Sequence, residues 1–249
     1  MIRRATAWHV ATVADTRRET ASARRIELEV PTWPGNEAGA HVDVRLTAPD
    51  GYQATRSYSL ASSGEGTRVT LAVDEVPTGE VSPFLVHDLR VGDRIEVHGP
   101  LGAFFIWTPA APAAVSRPTQ LIAGGSGVVP LFAMAEAHAT AGDPSPLRLL
   151  VSVRTPEDLF FRRELAALTT ADPQFRLDLV YTRATPAEWP TPAGRLTAER
   201  VRDVVADASA RPRVYVCGPT PFVESVSQWL VADGHAAEAI RTERFGGSR

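Results

Sequence analysis

Leu121-Ile-Ala-Gly-Gly-Ser-Gly-Val-Val-Pro130 reads as a short apolar strand that runs into glycines and then into the start of a helix. In open α/β sheets a ligand sits beyond the carboxyl ends of the strands. Glycines at that edge let backbone amides approach a phosphate, and the helix N-terminus adds partial positive charge. The pair Gly125-x-Gly127 is present, but Pro130 stands where the usual dinucleotide fingerprint has its last glycine. Taken alone, the glycines fit a tight strand–helix turn equally well.

Toward the C-terminus the same grammar repeats. Apolar runs at 121–124, 147–153, 177–182 and 214–218 alternate with helical segments near 130–141, 157–168, 198–208 and 222–233. Continuous apolar strands are those buried on both faces, so this half predicts a doubly wound parallel sheet covered by helices. Thr155-Pro156 and Thr220-Pro221 read as helix starts, a capping hydroxyl followed by proline. Toward the N-terminus the period changes to two. Ile26, Leu28 and Val30 share a face, as do Val42, Val44 and Leu46, then Val69, Leu71 and Val73, and Ile95 with Val97. Such alternation marks antiparallel strands, here of a β-barrel. Between the halves, TPAAPAAVSRP has three prolines and no strand pattern. The expected organisation is a β + α/β chain: a barrel at 1–108, a linker at 109–118 and an α/β domain at 119–249.

Composition narrows the function classes. A chain of 249 residues with 44% hydrophobic and 22% charged residues is globular, and its length suits two domains. A net charge of −3 gives no reason to expect nucleic acid as a partner. The uncharged stretches 97–116 and 118–135 are broken by prolines and glycines, so no membrane span is predicted. No signal peptide is read, and the location expected is cytoplasmic. The single cysteine, Cys217, excludes an internal disulfide, a four-thiolate zinc site and a Cys-ligated iron–sulfur cluster within the chain. No metal site is predicted.

Two strand ends carry a base where an NAD-binding design places an acid. They are Val153-Arg154-Thr155 and Tyr181-Thr182-Arg183. Arginine suits the 2′-phosphate of NADP through paired, charge-assisted hydrogen bonds. In the first half, Thr55-Arg56-Ser57-Tyr58-Ser59 offers an arginine, an aromatic and hydroxyls along one strand, read as facing the same way. Together they suit a phosphate, a planar ring and its polar edge. Gly79-Glu-Val-Ser82-Pro reads as a helix start capped by Ser82, a second anion site.

Taken in order, Arg56-x-Tyr58-Ser59, Gly79-x-x-Ser82, Gly99-Pro-Leu-Gly-Ala-Phe104, Gly124-Gly-Ser-Gly-Val-Val-Pro130 and Val216-Cys-Gly-Pro219 resemble the ferredoxin–NADP reductase superfamily. The resemblance covers nearly the whole chain. It implies FAD as cofactor, with FMN the alternative, and NADPH as donor, with NADH the alternative. Arg56 would bind a flavin phosphate, Tyr58 would pack on the ring and ribityl region, and Ser59 would hydrogen-bond the reactive ring nitrogen, with Ser57 among the contacts. Gly79, Val81 and Ser82 would cradle the pyrophosphate, and Val73 would lie along the ring edge. Gly125, Ser126, Gly127 and Val128 would hold the nucleotide pyrophosphate, Thr182 and Arg183 its 2′-phosphate, with Arg154 helping. Cys217, with Gly218 and Pro219, falls beside the nicotinamide. In the C-terminal tail, Phe245 would cover a flavin face, and Glu243 would join Ser59 and Cys217 as catalytic residues. The implied activity is hydride transfer from NADPH to FAD and delivery of electrons to a separate protein, such as a ferredoxin, an oxygenase component or a haem protein. The alternatives are direct reduction of small acceptors and a non-catalytic flavin-binding module.

Overall fold

The computed structural model describes residues 6–109 and 117–246, so the predicted linker lies mostly outside the described residues. The chain divides into two compact units between Trp107 and Thr108.

The first unit is an antiparallel barrel of six strands, β1 (Ala7–Arg18), β2 (Ala23–Glu29), β3 (His41–Thr47), β4 (Gln53–Ser59), β5 (Arg68–Asp74) and β6 (Arg94–Leu101). The order is β4-β3-β6-β1-β2-β5. Just beyond β4, Leu60 forms a bridge to Leu71 of β5, and the Ala61 amide donates to Thr70 O, which brings the two edge strands together. The alternating residues point inward as predicted: Ile26, Leu28, Val42, Val44, Leu71 and Val97 have no exposed surface. Each such side chain contributes about 1.5–3 kcal/mol on burial.

At the start of strand β1 the polarity is inverted, which hides the alternation that Ala11 and Val13 continue. His9 is buried, its ring nitrogens paired with Thr32 Oγ1 and Gly99 O, while Trp8 and Val10 lie outside. Trp8 instead packs on the His98 ring and under the Arg45 guanidinium.

The Ser82 prediction needs correction. A short π-helical turn, Phe84–Asp88, follows, and Pro83 holds its N-cap position. Ser82 Oγ accepts the Val76 amide at 3.0 Å instead, because the tight turn from Val76 to Gly79 brings that amide beneath it.

The second unit is a parallel sheet of β7 (Thr119–Gly124), β8 (Leu147–Val153), β9 (Phe175–Tyr181), β10 (Arg213–Pro219) and β11 (Ile240–Phe245), ordered β11-β10-β7-β8-β9. Its helices are α1 (Val128–Ala141), α2 (Arg162–Ala171), α3 (Ala198–Val204) and α4 (Thr220–Ala232). The chain winds outward from β7 to β9, then returns to β10 on the other side of β7. That reversal puts the topological switch point at the carboxyl ends of β7 and β10. Val128 to Ala135 of α1 are all buried, which accounts for the uncharged stretch. Among the described residues, no helix is long and apolar enough to cross a membrane.

Three helix predictions shift. Thr155 does begin a turn, with a full capping box to Asp158, but α2 proper starts only at Arg162. Thr220 is the first residue of α4 rather than its cap. The segment predicted for 198–208 is helical only to Val204, after which the backbone is extended.

Candidate functional site

On β4 the pleat sorts the predicted residues onto two faces. Arg56 and Tyr58 lie opposite Val44 and Val42 of β3, in the row that elsewhere builds the barrel core. Ser57 and Ser59 lie opposite Asp43 and His41, on the other face. The expectation that arginine, tyrosine and hydroxyls all face one way is therefore corrected: alternation separates them. Ser57 Oγ donates to Asp43.

The Arg56–Tyr58 row is an inner-face row at the sheet edge that stays open. Arg56 NH2 donates to Glu80 Oε2 at 2.8 Å, and NH1 donates to Thr55 O at 2.7 Å. Tyr52 OH donates to the other Glu80 oxygen, also at 2.8 Å. Burial pushes the Tyr58 phenol up to about 12, so it is a neutral donor at physiological pH. Beyond Glu80 lies a groove of about 620 Å³ with Leu46, Ala54, Phe84 and Ile95 among its apolar walls. Val73 and Val81 are buried in the barrel core, so their side chains present no exposed ring edge or cradle. Gly79 fits its tight turn: a Cβ there would come within 3.0 Å of Val76 O.

An open row bearing a guanidinium and then a flat phenol fits a planar ring with a phosphate tail, while Ser59 ends the strand on the opposite face. Glu80 is the member of this set whose charge opposes an anion.

At the switch point of the second unit, each glycine has a separate reason. Gly125, at φ +57°, would place a Cβ in open space, so the left-handed backbone rather than packing favours glycine there. A Cβ on Gly127 would lie 2.3 Å from Cys217 O, so this glycine lets α1 start against the β10 backbone. Cβ atoms on Gly124 and Gly218 would each come within 2.8 Å of the Phe222 ring. Phe222, at the start of α4, thus holds the ends of β7 and β10 together. The first turn of α1 has neither an acidic residue nor a side-chain cap, leaving its dipole uncompensated. Ser126 lies beside Gly125 in the turn, and Val128 is buried.

Cys217 is 1% exposed. Burial first, and Glu243 second, push its thiol well up. Glu243 is its register partner on β11, and Phe245 pairs with Pro219. Phe245 is exposed, and Thr220 Oγ1 donates to Gly246 O beside it. Ser59 belongs to the first unit; Cys217 and Glu243 belong to the second.

The ends of β8 and β9 are tied: Thr182 N donates to Val153 O, and Arg183 N to Arg154 O. Both predicted arginines therefore leave neighbouring backbone. They differ in engagement. Both are exposed, and Arg154 also pairs with Asp158 at 3.2 Å. Trp189 packs edge-on against Tyr181 beneath them, with ring centroids 5.0 Å apart.

The sequence reading did not single out Tyr52, Glu80, Phe222 or Trp189. The signal for Phe222 was a glycine at the end of each of two strands with an aromatic four residues beyond the second. Tyr52 and Glu80 meet Arg56 only through tertiary folding. Among the described residues, no group of three or more His, Cys, Asp or Glu side chains could hold a metal ion.

Two family models match the chain in sequence. The oxidoreductase FAD-binding domain spans residues 11–106, and the oxidoreductase NAD-binding domain spans 121–228. The ferredoxin–NADP reductase B of Sorangium cellulosum is 34% identical over 215 residues, covering 84% of this chain and 85% of that protein. The glycine betaine monooxygenase reductase subunit of Chromohalobacter salexigens is 32% identical over 200 residues, 79% of this chain. The chain spans about half the length of that relative, 53%. Among solved structures, a cytochrome P450 reductase from Amycolatopsis superposes with a TM-score of 0.83 at 28% identity, covering 96% of this chain and 70% of that one.

Proposed function

This chain belongs to the family of oxidoreductases that join an FAD-binding to an NAD-binding domain, as in ferredoxin–NADP reductase, and from that premise we propose that it carries electrons from NADPH through FAD to a separate redox protein. A bound flavin accepts two electrons together and releases them singly, which matches a hydride donor to one-electron acceptors. The observation that carries the reading is the open Arg56–Tyr58 row on a barrel face that is otherwise closed by its core.

In this reading Arg56 grips a flavin phosphate and the Tyr58 ring lies against the cofactor as a neutral phenol. Ser59 supplies a hydroxyl at the far end of the strand. The Gly79–Ser82 turn contributes backbone; the Val73 and Val81 side chains only pack beneath it. On the second unit, Gly125, Ser126 and the first amides of α1 receive the nucleotide pyrophosphate, and Thr182 and Arg183 its 2′-phosphate. Arg154 is held by Asp158 and plays the smaller part. The buried Cys217, with Gly218 and Pro219, shapes the floor of that site as a neutral group. The acceptor class is a ferredoxin or an oxygenase component, and the place of action is the cytoplasm, supported by the single cysteine.

The test is direct. The purified protein is expected to be yellow, to bleach with NADPH in the absence of oxygen, and to recover its colour when an iron–sulfur acceptor is added. A folded, colourless protein that takes up no added flavin overturns the reading.

A further inference from the structure

We propose that Glu80 is a competing anion built into the phosphate grip of Arg56, and that it sets how loosely this chain holds a phosphorylated flavin. The inference rests on the flavin site proposed above and concerns its exchange. Both carboxylate oxygens of Glu80 are engaged, one by Arg56 NH2 and one by Tyr52 OH, each at 2.8 Å. Tyr52 lies just before β4 and Arg56 within it, so one acid from the turn after β5 is pinned from two places on this edge. With NH1 on Thr55 O and NH2 on Glu80, the guanidinium already carries an anionic partner.

A phosphate approaching Arg56 must displace that carboxylate or share the guanidinium with it against like-charge repulsion. The pair is accessible, with side chains 52% and 49% exposed, so solvent and salt reach it and it can open. Glu80 also lines the adjacent groove, so the carboxylate can turn away from Arg56 while keeping Tyr52 as its partner. The result is a phosphate subsite whose affinity is held down by its own acid. Such a site favours a flavin that exchanges with solution over one that is permanently held.

Glu80→Gln removes the charge but keeps an oxygen for Tyr52. Dissociation constants for FAD, FMN and riboflavin, measured by fluorescence on the full chain at low salt, test the proposal. FAD and FMN are expected to bind about two- to fivefold more tightly in Glu80→Gln, the range for half-exposed charge pairs, while riboflavin, which lacks phosphate, is unmoved. In an Arg56→Ala background the same substitution should change nothing further. Unchanged or weaker FAD binding, or an equal shift for riboflavin, overturns the proposal and leaves the flavin site standing. A wild-type chain that binds none of the three flavins overturns both.

Discussion

Cys217 looks like a reactive group in the sequence and like a packing group in the fold. Its sulfur sits at the end of β10, 1% exposed, with the Glu243 carboxylate alongside. Both surroundings disfavour the thiolate, which is the nucleophilic form. The sign follows: the folded chain keeps this proton where an unfolded one releases it, so Cys217 costs stability as pH rises above the ordinary thiol value of 9.0. Ellman's reagent is expected to leave the native protein unlabelled from about pH 7 to about pH 9, and to find one thiol once guanidinium is added. Rapid labelling of native protein would contradict this. The position of the cysteine was legible, since an apolar run ending in Cys-Gly-Pro has to be a strand end. Its burial was not, because burial depends on β11 returning beside β10. The faces of β4 were misread for a plainer reason: residues 56 and 59 differ by an odd number, and a period of two puts them on opposite sides.

At the scale of elements, the glycines at the switch point separate into those required by packing and one favoured by its left-handed backbone. A Cβ on Gly127 would meet the carbonyl of Cys217, backbone that cannot move without shifting β10. Gly127→Ala should cost about 1–3 kcal/mol or more, the range for overpacking. Gly125→Ala meets no neighbour and pays only for its left-handed backbone, about 1–2 kcal/mol. Thermal melts are expected to rank Gly127→Ala below Gly125→Ala, while Gly125→Ala, in the turn before α1, is expected to raise KM for NADPH. The reverse ranking would remove the packing role assigned to Gly127. Element type was legible wherever periodicity was clean: β8 runs over the residues read from its apolar run. It was hidden where tertiary contacts overrule the pattern. β1 buries a hydrogen-bonded histidine and exposes a tryptophan, and β11 is a mostly polar strand that alternation does not reveal.

Across the whole molecule, the two units carry separate cores. Ile26, Leu28, Val44 and Leu71 build one; Ile122, Val214, Val216 and Leu230 build the other. Arg56 belongs to the first unit and Arg183 to the second. Their hydrogen bonds among the described residues have no partner in common, and substitutions without shared partners act additively, so the two phosphate grips should fail independently. Arg56→Ala is expected to lose flavin absorbance per mole of protein while still being retained on immobilised 2′,5′-ADP. Arg183→Ala should stay yellow, lose that retention, and lower kcat/KM for NADPH relative to NADH. Arg154→Ala should change the ratio much less, because its guanidinium already serves Asp158. An unchanged NADPH/NADH ratio in Arg183→Ala would place the 2′-phosphate elsewhere. An Arg154→Ala effect as large as that of Arg183→Ala would mean that the Arg154–Asp158 pair opens for the nucleotide, making Asp158 the counterpart in the second unit of Glu80 in the first.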